Sequence, residues 1–265
     1  MDELLNELLK HVLLFICSSI ANILSAISGG GAGFIQFPIL ILMGLPFMSA
    51  LGTHKASTLL LGVGAITKKG NINRLSRLMA SVLVLVGVPG CVLGTWLVSL
   101  IDEVLAEFGL GIITIAMAIY TLTKRSIDKN NVNLNDSVLS KSRIILGIIL
   151  ILLTALLSGA LSSGAGLFAT MVMISVFKLN IKDAITHAVV FIGTLWNLVG
   201  AITVYQVAEI HWQWVPTLLL ASFVGGLIGS KLLKRLSNQT VRYIFAFVAA
   251  ISGILLLRSS IQILF

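Results

Sequence analysis

The chain has 265 residues, of which 57% are hydrophobic and 11% charged, with a formal net charge of +8 and a mean hydropathy of +1.06. A soluble domain carries about 25% charged residues, so this composition excludes a soluble enzyme, a disordered chain and a disulfide scaffold. The positive surplus fits the basic loops of a membrane protein better than a nucleic-acid partner.

The start, Met1-Asp2-Glu3-Leu4-Leu5-Asn6-Glu7, is acidic where a secretory signal is basic, so the first span is read as its own uncleaved insertion signal. Apolar runs follow at 11–28, 78–101, 104–123, 144–161, 184–205, 212–230 and 240–257. Each is about the length that crosses ~30 Å of hydrocarbon as a helix. Three further apolar segments, about 33–47, 54–67 and 165–177, are short for a crossing. Each is either a shortened span or one arm of a re-entrant hairpin, which is tolerated where protein or a water-filled cavity covers it. The predicted fold is an all-α polytopic membrane protein with five hydrophobic segments on each side of a polar linker. Its parts are a first transmembrane repeat (1–123), a linker (124–143) rich in Asn and Ser, and a second repeat (144–265). Cys17 and Cys91 both lie in apolar runs without metal-like spacing and read as small buried hydrophobes.

Charge sets the expected topology. Alternate loops hold Lys68, Lys69, Arg74 and Arg77; Lys124, Arg125, Lys129, Lys141 and Arg143; Lys178 and Lys182; and Lys231, Lys234, Arg235 and Arg242, most of the 18 basic residues. The opposite side takes Asp2, Glu3, Glu7, Asp102, Glu103, Glu107 and Glu209. The positive-inside rule then puts the linker in the cytoplasm and both termini outside, in a cell (plasma or inner) membrane.

One internal offset, 133 residues, aligns Leu24-Ser25 with Leu157-Ser158, Gly31-Ala32-Gly33 with Gly164-Ala165-Gly166, and Thr53-His54 with Thr186-His187. An odd number of segments per half makes the second copy enter from the opposite face. Inverted-topology repeats of this kind characterise secondary transporters, with substrate sites near the midplane.

The repeated patches supply the candidate site. Gly31 and Gly33, with Ser163, Gly164 and Gly166, mark breaks where backbone N–H groups face an anion, or else close helix packing by small residues; the repetition favours the ligand-facing break. Thr53 and Thr186 read as helix N-caps or as substrate contacts. His54 and His187 form a symmetric pair that could donate to an anion or take up a proton. Lys55 is the one basic residue outside the cytoplasmic loops and termini. It neutralises an anionic substrate or snorkels to the outer surface. Asn197 contacts a substrate oxygen or bridges helices, and Gln36 and Asn22 are lesser candidates. Trp212 and Trp214 read as interfacial anchors. No catalytic set, metal cluster or cofactor motif is found, and no nucleic-acid partner is expected.

Gly29-Gly30-Gly31-Ala32-Gly33 with Pro38, Gly44-Leu45-Pro46 and Ala50-Leu51-Gly52-Thr53-His54-Lys55 resembles the TauE/SafE sulfite-exporter family, also called toluene-sulfonate uptake permeases. The echo in the second half comprises Ser158-Gly159, Ser163-Gly164-Ala165-Gly166, Ala184-Ile185-Thr186-His187 and Gly225 to Leu233. The resemblance implies two inverted bundles that carry sulfite, sulfonates or other sulfur-containing organic anions. The family usually has Thr-Asn where both copies here have Thr-His, and Met171 stands where the first copy has Pro38. The expected function is secondary transport of such an anion by alternating access between the repeats. An anion channel, or a transporter of a different small organic anion, is the alternative. The expected partners are that anion and the lipid bilayer. Proton coupling and homo-oligomer formation are both compatible with the sequence.

Overall fold

The computed structural model describes residues 2–67, 75–100, 102–123, 140–161 and 164–264. Lys68, Lys69, Arg74, the linker residues Lys124, Arg125 and Lys129, and Ser163 lie outside the described residues. Among the described residues all regular structure is helical. In the first half these helices are α1 (Asp2–Ser28), α2 (Ala32–Leu42), α3 (Phe47–Ser57), α4 (Leu61–Ile66), α5 (Arg77–Leu85), α6 (Gly87–Val98) and α7 (Glu103–Thr123). The second half has α8 (Lys141–Leu161), α9 (Ala165–Ser175), α10 (Ile181–His187), a π-helical stretch (Ala188–Trp196), α11 (Asn197–Tyr205), α12 (Val215–Arg235) and α13 (Asn238–Leu264).

Among the described residues, five stretches are long and apolar enough to cross a membrane: Leu4–Ser28, Arg77–Val98, Lys141–Leu161, Ile181–Tyr205 and Val215–Arg235. The polarity of the molecule agrees with them. Leu8, Ile16, Leu93, Leu146, Leu153, Leu220 and Phe247 lie exposed, while Asn22, Gln36, His54, Lys55, Ser57 and Thr95 are buried. An apolar exterior around a polar interior is the arrangement a bilayer selects. The chain is an all-α polytopic membrane protein.

The ends of the helices follow local chemistry. Gly44 at φ +95° and the extended Pro46 reverse the chain before α3. The Asn180 side-chain oxygen accepts from Lys182 N at 2.8 Å and Asp183 N at 3.2 Å, capping α10. Pro216 opens α12, and Lys234 with Arg235 closes it, where cations suit the helix dipole.

The predicted third segment is corrected by this geometry. Its helix starts at Phe47 rather than at Thr53, so Thr53 and His54 lie in the body of α3, and Thr186 lies in the body of α10. Neither threonine caps a helix. Pro46 and Asn180 hold those positions because each sits in extended backbone at the end of a turn.

The 133-residue offset recurs in the helix boundaries. Shifted by it, the end of α1 at Ser28 falls on the end of α8 at Leu161, and α2 falls on α9 residue for residue. α2 and α9 each have 11 residues, about 16 Å of helix, half a bilayer core. Packing follows the same exchange. α1 lies along α12, and its counterpart α8 lies along α6, while α7 and α13 lie against each other. In the α6–α8 contact Gly159 meets the Cys91 carbonyl and Gly94 meets that of Leu156, so these backbones approach without side chains between them. Trp214, expected as an anchor, is 6% exposed and packs with Val204 and Leu218, whereas Trp212 is 56% exposed.

At one end of the molecule the described residues of three basic loops meet. Lys182 Nζ donates to the Lys234 carbonyl at 3.3 Å, and Ser76 N donates to His187 Nε2 at 2.8 Å. At the other end His11 Nδ1 pairs with Thr217 Oγ1 at 2.8 Å, and His211 N donates to Thr53 Oγ1 at 2.9 Å.

Candidate functional site

The two glycine breaks meet inside the bundle. Gly29 and Gly31 take φ of +85° and +134°, and Gly164 takes +76°, conformations that side chains with a Cβ rarely adopt. These turns reverse α1 into α2 and start α9 immediately after Gly164. A Cβ on Gly30 would come 2.8 Å from the Gly166 Cα, and one on Gly166 would strike the Gly29 carbonyl. The two backbones therefore touch at the centre with no side chain to separate them.

A small open cavity lies beside this contact. Ser25, Gly29 to Gly33 and Gly166 line it from the breaks, His54, Thr58 and Leu61 from the third segment, and Ala188, Val189, Ile192, Gly193 and Asn197 from the span opposite. Both of the latter spans depart from α geometry here. The first is interrupted between Ser57 and Leu61, and the second is π-wound from Ala188 to Trp196. π-helical turns concentrate at functional sites. Trp196 pins that stretch from behind: its Nε1 donates to the Leu83 carbonyl at 2.8 Å, and its own carbonyl accepts from Cys91 Sγ at 3.2 Å.

Two lining side chains carry the polarity. Asn197 Nδ2 donates to Thr58 Oγ1 at 2.7 Å and to the Gly193 carbonyl at 3.3 Å. His54 is 1% exposed, and its Nδ1 has no hydrogen-bond partner among the described residues. A buried ring nitrogen without a partner is costly, and at a cavity wall it is available to a ligand. The α3 backbone that carries His54 is braced by a buried relay: Asn22 Nδ2 donates to Gln36 Oε1 at 3.3 Å, Gln36 Nε2 to Ser57 Oγ, and Ser57 Oγ to the His54 carbonyl at 2.7 Å. Asn22 and Gln36 thus support the site without lining it.

Of the residues singled out from the sequence, Gly31, Gly33, His54, Gly166 and Asn197 come together at this cavity. Gly164 sets the turn before α9, and Ser163 lies outside the described residues. Thr53, Lys55, Thr186 and His187 point elsewhere. Thr53 accepts from His211 N, and Thr186 Oγ1 donates to the Lys182 carbonyl at 2.7 Å within its own helix. Lys55 is 0% exposed, so it does not snorkel to the surface; its Nζ donates to the Ser158 carbonyl at 2.6 Å. His187 Nδ1 bonds the Asp183 carbonyl at 2.8 Å, and its Nε2 accepts from Ser76 N. The symmetric histidine pair of the sequence is therefore asymmetric in space. Ser25, Thr58 and Gly193 line the cavity without having been singled out. Thr58 lies four residues after His54 and shares its helical face, and Ser25 opens the repeat match, so both carried a usable signal.

Comparison with known proteins decides the family. The profile described as "Sulfite exporter TauE/SafE" matches residues 14–256. The chain belongs to the TauE/SafE family. TauE/SafE relatives of similar length include a "Probable membrane transporter protein ORF9" of Sinorhizobium sp., 25% identical over 96% of this chain and 95% of that protein. A "Probable membrane transporter protein" of Haemophilus influenzae is 24% identical over 87% and 88% of the two chains. The "Probable membrane transporter protein YdhB" of Bacillus subtilis is 26% identical over 89% and 95%. No solved structure matches the chain. This TauE/SafE protein is a multi-pass membrane transporter, which implies a small-molecule substrate and a bilayer around it.

Proposed function

We propose that this TauE/SafE protein carries a small sulfur-containing anion, sulfite or an organosulfonate, by alternating access at the central cavity. The observation that carries the reading is the convergence of both glycine breaks on a buried cavity that also holds His54 and Asn197. Backbone N–H groups at the breaks, an imidazole N–H and the Asn197 amide, which would exchange its bond to Thr58 Oγ1 for one to the substrate, are donors suited to oxyanion oxygens. Among the described residues no carboxylate lines the cavity to oppose an anion. Two repeats of opposite sense, 1–123 and 144–265 around the linker, supply half-sites whose exchange opens the cavity to either face in turn. The basic loops put the linker in the cytoplasm and both termini outside a cell membrane. Gly31, Gly33, His54, Ser163, Gly164, Gly166 and Asn197 form the site in this reading, while Thr53, Lys55, Thr186 and His187 hold the half-sites in place.

The test is sulfite and sulfonate flux in proteoliposomes. A hydrogen bond to a charged group is worth about 1.5–3 kcal/mol, so His54→Ala and Asn197→Ala are each expected to lower flux roughly 10- to 100-fold with membrane insertion intact. Wild-type flux in both variants would remove the cavity from the pathway. Absence of saturation with substrate would favour a channel.

A further inference from the structure

A second, small cavity lies at the end of the molecule where Lys182 meets the end of α12. Lys182, Lys234, Thr186 and Ser230 supply its polar wall. The Thr186 and Ser230 hydroxyls donate to main-chain carbonyls, those of Lys182 and Leu227, so the donors left for a ligand are the two ammonium groups. Lys182 spends one of its three protons on the Lys234 carbonyl, which ties α10 to the end of α12 and holds the two lysines on one cavity. Among the described residues no carboxylate lines it: Asp183, the acid beside Lys182, is not part of the wall. Two cations on one concave surface without an anion repel, and low-dielectric walls focus their field on the cavity.

What separates this cavity from the central one is entirely apolar. Ala26, Leu61, Ala65, Ile185, Val189 and Leu233 pack into a single buried cluster. Val189 lines both cavities, Leu61 the central one, and Ile185 and Leu233 the basic one. Behind the cluster the α4 and α12 backbones touch, with Gly226 against the Leu61 carbonyl and Gly64 against that of Phe223. The partition is thus one side-chain layer thick.

We propose that the Lys182–Lys234 cavity is an anion vestibule and that the Leu61, Ile185, Val189, Leu233 layer is the closed gate between it and the central site. The vestibule accepts a small oxyanion from the aqueous phase and presents it to the gate. The proposal rests on the transport reading above, but its test does not use transport.

In a Cys17→Ser/Cys91→Ala background, Ser230→Cys is placed in membrane vesicles and treated from the basic-loop side. The reagents are 2-sulfonatoethyl methanethiosulfonate, an anion, and its trimethylammonio counterpart, a cation. Rates are normalised to each reagent's rate with a free thiol. The anion is expected to be favoured on the order of tenfold, and Lys182→Gln/Lys234→Gln to abolish the preference. A second reporter, Thr58→Cys, faces the central cavity and is expected to react slowly from this side until Leu233→Ala/Val189→Ala thins the gate. Equal normalised rates for the two reagents, or a preference that survives loss of both lysines, would overturn the vestibule. Thr58→Cys labelling as fast as that of Ser230→Cys would overturn the gate. Sulfite flux in the same vesicles reports separately on the transport reading, so either can fail alone.

Discussion

The imidazole of His187 has both nitrogens engaged, and that decides its role. Nδ1 bonds the Asp183 carbonyl and must carry the proton, which leaves Nε2 as the acceptor for Ser76 N. The ring is a neutral clamp that fixes the start of α5 against the last turn of α10. His187→Ala leaves a backbone N–H without its partner, at a cost of about 1–3 kcal/mol. His54 has a ring nitrogen without a partner, so His54→Ala costs no such bond. Thermal unfolding in detergent is expected to show a clear loss for His187→Ala and little for His54→Ala, the reverse of their order in flux. Equal destabilisation by the two would contradict this division of labour. The matching Thr-His pairs were visible in the chain, but nothing in either pair distinguishes clamp from ligand. The difference arises from what each helix meets, the Ser76 backbone for one and an open cavity for the other.

The glycine breaks act as elements, because each turn positions a half-length helix. Gly164 combines a positive φ with the N-cap position of α9, so Gly164→Ala strains the turn by about 1–2 kcal/mol. Gly166→Ala drives a methyl into the Gly29 carbonyl and forces the two breaks apart. Gly44 has a similar φ of +95° with nothing within 4 Å of its would-be Cβ. Gly44→Ala is therefore the control that carries strain without touching the cavity. Flux normalised to folded protein is expected to fall most for Gly166→Ala and least for Gly44→Ala; an equal fall in all three would mean that strain alone matters. These breaks could be read from the chain because glycine leaves a mark in composition and the offset repeats it. The π winding of Ala188–Trp196 could not. That run is almost entirely apolar, and its geometry depends on distant partners, Leu83 and Cys91 behind Trp196 and Gly62 N donating to Thr194 Oγ1 at 3.0 Å. The start of α3 was hidden for a similar reason: Phe47 to Gly52 carries only one polar residue, Ser49, and the conspicuous Thr53 drew the boundary to itself.

At the scale of the whole molecule the question is what drives the substrate. Fifteen basic side chains lie in alternate loops, yet among the described residues the lining of the central cavity has no carboxylate and one titratable group, His54. Lys55, the remaining intramembrane cation, is turned to the Ser158 carbonyl between α3 and α8, away from the cavity wall. We infer that no proton accompanies the substrate, whose charge then crosses the membrane uncompensated. A monoanion then gains about 2.3 kcal/mol per 100 mV on leaving a compartment that is negative inside, roughly a 50-fold gradient at equilibrium. Proteoliposomes loaded with sulfite are expected to release it faster when a potassium gradient with valinomycin makes the lumen negative, and more slowly when the sign is reversed. A pH gradient imposed at zero potential is expected to have little effect. Flux that follows the pH gradient and ignores the potential would mean that His54 takes a proton with each anion, and His54→Gln would then uncouple the two.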